Sequence, residues 1–312
     1  MRQDHRVPLA LELRDLLREV ETEIYTGGYH WLVCDQLMDS QTSAAAYRLG
    51  FIGGGKLGGS VIRGLVRAKF CAPGLILVSE PNEATRRTLE DEVGVSVTAE
   101  NPEVAEKSEV IFLGVKPAVV VPVLNDLAPM LERKLVVSLA AGVRIASMEK
   151  VAAAHFMRAM TNTPSAICRA ATALAKGGRT TNTELSAVRE IFSAIGVVVE
   201  VGEEQIDAVT ALAGSGPAFV YTVIEALARG GEKMGLAADA ALTLSTQTVL
   251  GAAQLATETR LSPEELRKMV VTPGGTTAAG LAAMEELKTA QGLSAAVEAA
   301  AKRGREMGQE NS

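Results

Sequence analysis

Residues 49–69, Leu-Gly-Phe-Ile-Gly-Gly-Gly-Lys-Leu-Gly-Gly-Ser-Val-Ile-Arg-Gly-Leu-Val-Arg-Ala-Lys, constrain this chain more than any other stretch. Leu49 to Ile52 form a short, mostly apolar run of the kind a buried strand needs. Gly53, Gly55 and Gly58 then satisfy G-x-G-x-x-G, and Leu57, Val61, Leu65 and Ala68 recur on one helical face. Strand, glycine turn and helix in this order give the motif a mechanism. Gly53 permits the tight turn, Gly55 lets the backbone approach a pyrophosphate, and Gly58 lets the helix pack closely on the strand. The helix start offers free N–H groups and the positive end of its dipole to phosphate oxygens. A dinucleotide-binding turn is the expectation.

Strand and helix signals alternate from there. Apolar runs at Leu75–Ser79, Val95–Thr98, Val110–Val115, Leu135–Leu139, His155–Met160, Thr172–Ala175 and Val197–Val201 read as further strands. Asn82–Val93 and Asn182–Ala194 read as helices. Such alternation predicts a parallel, doubly wound sheet with its ligand at the carboxyl ends of the strands. Those ends carry the Gly53–Gly58 turn, Glu80, Val115-Lys116-Pro117, Ala140-Ala141-Gly142 and Asn162-Thr163-Pro164. Beyond Glu204 the pattern becomes helical and rich in alanine, over 206–234, 237–260, 262–271, 277–288 and 291–308. Ala213-Gly-Ser-Gly-Pro217 is expected to interrupt the first of these helices. Val271-Thr-Pro-Gly-Gly-Thr-Thr277 is expected to separate two later ones, with glycines before a helix start that again suit an anion.

Composition excludes several alternatives. A net charge of −6 and a pI near 5.4 do not suit a nucleic-acid surface, and 4% aromatic residues leave little for base stacking. Cys34, Cys71 and Cys168 are scattered and form no paired spacing. The three histidines, His5, His30 and His155, fall in no ligand spacing, so neither a disulfide framework nor a metal site is expected. Residues 208–224 lack charge, but Gly214–Pro217 argue against a membrane span. Residues 1–47 read as an extension with an amphipathic helix after Pro8. They are too acidic for a typical transit peptide, and Met38 is a candidate start for the core chain.

Taken together, Phe51–Gly58, Val115–Pro117, Ser138–Gly142, Met160–Pro164, Asp207–Thr210, Gly214–Ala218 and Thr272–Thr277 resemble the pyrroline-5-carboxylate reductase family over roughly residues 48–308. The resemblance implies an α/β chain with an N-terminal Rossmann dinucleotide-binding domain (48–203) followed by an all-helical substrate and dimerisation domain (204–312). It implies NADPH or NADH as cofactor, a cyclic imine as substrate, a homodimer assembled into larger homo-oligomers and a cytoplasmic setting. No nucleic-acid or membrane partner is expected.

Residue by residue, the resemblance gives the pyrophosphate to Gly53, Gly55, Lys56, Leu57 and Gly58. The ribose falls to Val115, Lys116 and Pro117, the nicotinamide to Ala140, Ala141 and Asn162, and the adenosine end to Asn101. Thr272, Gly275, Thr276 and Thr277 would grip the substrate carboxylate, with the Thr277 hydroxyl beside the imine nitrogen and Glu203 near the substrate. Two positions depart from the family pattern. Ala213 and Glu80 both stand where the family often has Ser. Independently of the resemblance, an acid at the tip of the second strand binds adenosine ribose hydroxyls, which favours NADH. A β-hydroxyacid dehydrogenase is the rival within this plan, but it needs a lysine on the first long helix of its second domain. Residues 214–224 contain none. A non-catalytic nucleotide sensor is the rival outside it.

Overall fold

The structure is a computed structural model, and it describes residues 45–310. The expected helix after Pro8 and the role of Met38 lie outside these residues. The chain runs β1 (Tyr47–Ile52), α1 (Lys56–Arg67), β2 (Ile76–Ser79), α2 (Glu83–Val93), β3 (Ser96–Thr98), α3 (Asn101–Lys107), β4 (Ser108–Leu113) and α4 (Pro117–Leu127). It continues with β5 (Leu135–Ser138), α5 (Ile145–Glu149), β6 (His155–Met160), β7 (Ala170–Lys176), α6 (Asn182–Ser193) and β8 (Gly196–Glu200). The strands form one sheet in the order β3-β2-β1-β4-β5-β6-β7-β8.

Both faces of the central strands are covered, as their apolar runs require. Leu49, Phe51, Val78 and Phe112 face a core shared with Val61, Ile62 and Leu65 of α1. Ile52, Leu77, Ile111 and Leu113 face the other, with Val120 and Leu124 of α4. Phe51 stacks on Phe112 with ring centroids 4.7 Å apart. Helix starts are set locally. The Asn82 side chain accepts the Thr85 N–H at the start of α2, and Thr181 with Glu184 forms a capping box on α6.

The sheet corrects one expectation. It is not wholly parallel, because β7 runs antiparallel to β6. Between these strands the chain has only the short 3-10 turn Thr163–Ile167. A parallel return needs a crossover of a dozen or more residues. Helix α6 supplies such a crossover after β7, so β8 is parallel to β7.

The helical part comprises α7 (Ile206–Val209), a π-turn (Thr210–Gly214), α8 (Gly216–Lys233), α9 (Ala238–Thr259), α10 (Pro263–Val270), α11 (Thr276–Glu286) and α12 (Thr289–Glu310). The expected interruption at Gly214–Pro217 is present but mild: a π-turn over Thr210–Gly214 and a bend at Ser215 precede the start of α8 at Gly216. The Ser215 N–H donates to the Thr210 carbonyl at 2.8 Å, a five-residue step that absorbs the irregularity as a π-turn. Pro217 falls in the first turn of α8, where its missing N–H has no helical partner to lose. Glu203–Lys233 is therefore a helical run of 31 residues, long and apolar enough by length and composition to cross a membrane. The Gly/Pro cluster does not exclude that. The described residues divide into two compact units. One holds 45–219 and 291–310, the other 220–290.

Candidate functional site

In the sheet unit, the glycine turn is built by close backbone approach. Gly53 has φ +100°, and its N–H donates to the Ser79 carbonyl at 2.8 Å. A Cβ on Gly58 would lie 2.3 Å from the Gly53 carbonyl oxygen, whereas a Cβ on Gly55 would meet no protein atom within 4 Å. Gly55 caps α1, Lys56 is exposed and Leu57 half-buried. Tight packing below the turn and open space above it fit a pyrophosphate.

Glu80, at the tip of β2, folds back onto this turn. Its Oε2 accepts the Gly54 N–H at 3.0 Å and its Oε1 accepts the Asn82 N–H at 3.1 Å. Arg86 lies against the same corner, with Nη1 donating to the carbonyls of Glu80 (2.6 Å) and Pro81 (3.0 Å). Arg87 is turned to Glu83 instead. Asn101 opens α3, and its Oδ1 accepts from the Ser79 hydroxyl at 2.7 Å. Val115 and Pro117 are half-buried and Lys116 exposed, between β4 and α4.

The segment after β5 is held from several directions. Ala140 is buried, and its N–H donates to the Ser138 hydroxyl at 3.3 Å. Gly142, at φ +67°, lies under α12, where a Cβ would come within 3.0 Å of Met307 and 3.2 Å of the Gly308 nitrogen. The Ile145 N–H donates to Glu203 Oε1 at 2.6 Å. Arg158 Nη1 lies 3.6 Å from that same oxygen, and Arg144 pairs with Asp207 at 3.7 Å. Burial pulls the Arg158 guanidinium pKa down, while Glu203 and Asp207 act against that shift. Asn162 is a strut. Its Nδ2 donates to the Ala213 carbonyl and its Oδ1 accepts the Ala171 N–H, both at 3.1 Å, so it ties the end of β6 to β7 and to the π-turn.

In the helical unit, Thr272–Gly275 make a tight turn into α11. Gly274 has φ +71°, the Gly275 N–H donates to the Thr272 carbonyl at 2.9 Å, and a Cβ on Gly275 would strike the Thr272 hydroxyl. Gly275 caps α11, so the N–H groups of Thr276 and Thr277 sit in its first turn without helical acceptors. The predicted site residues thus form two internally assembled groups. Gly53 to Glu203 lie in the sheet unit and Thr272 to Thr277 in the helical unit.

The chain matches two family models, one described as pyrroline-5-carboxylate reductase dimerisation over residues 203–307 and one as NADP oxidoreductase, coenzyme F420-dependent, over 48–142. A pyrroline-5-carboxylate reductase of Glycine max is 41% identical over 266 residues, covering 85% of this chain and 97% of its relative. One from Synechocystis is 42% identical over 84% of this chain and 98% of the relative. The chain belongs to the pyrroline-5-carboxylate reductase family.

Solved structures of the family agree in fold. The Coxiella burnetii pyrroline-5-carboxylate reductase superposes with a TM-score of 0.77 at 34% identity, covering 84% of this chain and 98% of that one. The Plasmodium falciparum pyrroline carboxylate reductase, solved with NADP bound, gives 0.77 at 28% identity over 85% and 100%. The expected Rossmann fold followed by a helical dimerisation domain is therefore borne out. Sequence reasoning did not single out Arg158 or Arg144. A lone arginine inside the apolar strand His155–Met160 was the available signal for the first, and Arg144 carried none.

Proposed function

We propose that this chain reduces 1-pyrroline-5-carboxylate to L-proline with NAD(P)H, the closing step of proline biosynthesis. The observation that carries the reading is the joint presence of an open glycine turn at Gly53–Gly58 and the Thr272–Thr277 turn at the start of α11. Reduced nicotinamide supplies a hydride to C5 of the imine. The chain's own residues bind and orient. Gly55, Lys56 and Leu57 offer the N-terminal end of α1 to the pyrophosphate, and Asn101 and Glu80 flank the adenosine ribose. Val115–Pro117 line the other ribose, and Ala140, Ala141 and Asn162 wall the nicotinamide. The N–H groups of Thr276 and Thr277, with Thr272 and Gly275, hold the substrate carboxylate. A protonated imine is already electrophilic, so Thr277 needs only to accept its N–H and orient the ring. Catalysis is then mostly positioning. Proline formation from pyrroline-5-carboxylate, assayed with each cofactor, tests the reading. Cofactor binding without turnover of any imine would favour the sensor instead.

Thr277→Ala is expected to lower kcat/KM while leaving cofactor affinity intact. Loss of one hydrogen bond to a charged group costs about 1.5–3 kcal/mol, which is roughly 10- to 150-fold. Unchanged kinetics would remove Thr277 from the reaction.

The domains we assign are an extension over 1–47, a cofactor domain over 48–203 and a substrate and dimerisation domain over 204–312. The protein is a homo-oligomer whose basic unit is a dimer that joins others. The helical unit exposes Tyr221, Leu227, Leu242, Leu244 and Leu250 on α8 and α9, more apolar surface than a monomer leaves wet. Sedimentation at micromolar concentration is expected to show no active monomer, and a stable active monomer would refute this. We place the protein in the cytoplasm, on the scattered cysteines.

A further inference from the structure

Arg158 stands in the middle of β6, a strand whose other residues are apolar apart from His155. Its side chain is 2% exposed. Only Nη1 approaches a carboxylate, and Nε and Nη2 are buried with no hydrogen-bond partner among the described residues. A buried guanidinium this poorly satisfied adds little stability compared with an apolar side chain of similar volume. Its presence calls for another reason.

The contacts of its partner supply one. The Glu203 oxygen facing Arg158 is the oxygen that accepts the Ile145 N–H. Ile145 opens α5 and closes the segment that leaves β5 through Ala140, Ala141 and Gly142. Beside it, Arg144 reaches Asp207 on α7. One hydrogen bond, from the Ile145 N–H to Glu203, and one ion pair, Arg144 to Asp207, thus tie one end of the segment to Glu203–Asp207, while α12 presses on Gly142 from another side. The Ile145 N–H needs only an acceptor, which an uncharged side chain would provide. The charge on Glu203 adds a fixed direction, because the buried guanidinium locks the carboxylate in one place.

We propose that Arg158 is a positioning residue for hydride transfer. Its guanidinium fixes Glu203, Glu203 fixes the Ile145 N–H, and this holds Ala140–Ala141 in place at the carboxyl end of β5. The proposal rests on the reading of that segment as the wall of the nicotinamide site. Arg158 itself touches neither substrate nor cofactor.

The test uses the full-length oligomer as parent, Arg158→Met, Arg158→Lys, Glu203→Gln and a control, Leu174→Ala, which thins the core at a fully buried position. Amide exchange at Ile145, kcat, KM and cofactor Kd are measured for each. In Arg158→Met the Ile145 amide is expected to exchange at least about tenfold faster. A small displacement of the segment is expected to lower kcat about 10- to 100-fold, with cofactor Kd changed by less than about twofold. Arg158→Lys restores part of kcat. The control loses stability but keeps both Ile145 protection and kcat.

Unchanged Ile145 exchange in Arg158→Met overturns the proposal. So does faster exchange without a fall in kcat, or an equal fall in the control. Should Arg158→Met fail to fold, Glu203→Gln decides, because its amide oxygen still accepts from Ile145 but offers the guanidinium no charge. Parent-like exchange and kcat there overturn the proposal. A parent that turns over no imine refutes the reaction instead, and the exchange rates still report whether Arg158 holds the segment.

Discussion

Gly58→Ala is expected to abolish cofactor binding and to destabilise the fold, whereas Gly55→Ala is expected to weaken binding alone. The difference lies in what each new methyl group meets. At Gly58 it would stand 2.3 Å from the Gly53 carbonyl oxygen. The methyl is fixed by its own backbone and its neighbour is a backbone oxygen, so no side-chain rotation relieves the clash. Gly53 has no room to retreat, since it packs closely against Gly114 at the end of β4 and its N–H is bonded to the Ser79 carbonyl. Overpacking of this kind costs about 1–3 kcal/mol, and the turn that relaxes to absorb it is the turn that binds. At Gly55 the methyl meets nothing within 4 Å, and φ −65° with ψ −162° is extended backbone open to alanine. Stability should then stay within about 0.5 kcal/mol of the parent, while the methyl occupies the space a pyrophosphate needs. Thermal unfolding beside a fluorescence titration with NAD(P)H separates the two effects. Parent-like affinity in Gly55→Ala would move the pyrophosphate away from this turn.

Much of the fold was legible because its signals are local. The glycine turn and the apolar strand runs each act within a few residues, and each lies close to where the sequence places it. The reversal at β7 was less visible, because strand direction depends on the length of the connection and not on the composition of the strand. The mildness of the break at Gly214–Pro217 was masked for a related reason. Glycine and proline read as breakers, yet a π-turn and a first-turn proline accommodate them. The braces of the site were hidden further. Asn162 joins three elements, and Arg158 meets Glu203 across 45 positions of chain. Side-chain networks of that range leave no periodicity to read. Helix α12 is similar. Gly304 and Gly308 look like weak points in a helix, and their meaning appears only where they lie against Asp207 and Gly142.

Replacing Glu80 is expected to change which cofactor the enzyme prefers. Its carboxylate is not turned to solvent, because both oxygens accept backbone N–H groups from Gly54 and Asn82, which fixes the negative charge at the tip of β2. That is where an acid in a dinucleotide fold binds the adenosine ribose hydroxyls. A 2′-phosphate there meets the charge at close range. At about 4 Å near a protein surface two unit charges repel by roughly 1–4 kcal/mol, and each 1.4 kcal/mol is about tenfold in affinity. The parent should therefore show the higher kcat/KM with NADH. Arg86 sets the limit on that preference. Its Nη1 is engaged by the Glu80 and Pro81 carbonyls, which keeps a positive charge at the same corner, while Arg87 is neutralised by Glu83. Glu80→Ser removes the repulsion and leaves Arg86 in place, so kcat/KM with NADPH should rise about tenfold or more while that with NADH falls. Adding Arg86→Ala should cancel most of the gain, because the phosphate then loses its counter-charge. A parent that already favours NADPH, with no shift in Glu80→Ser, would show that the carboxylate braces Gly54 and takes no part in choosing the cofactor.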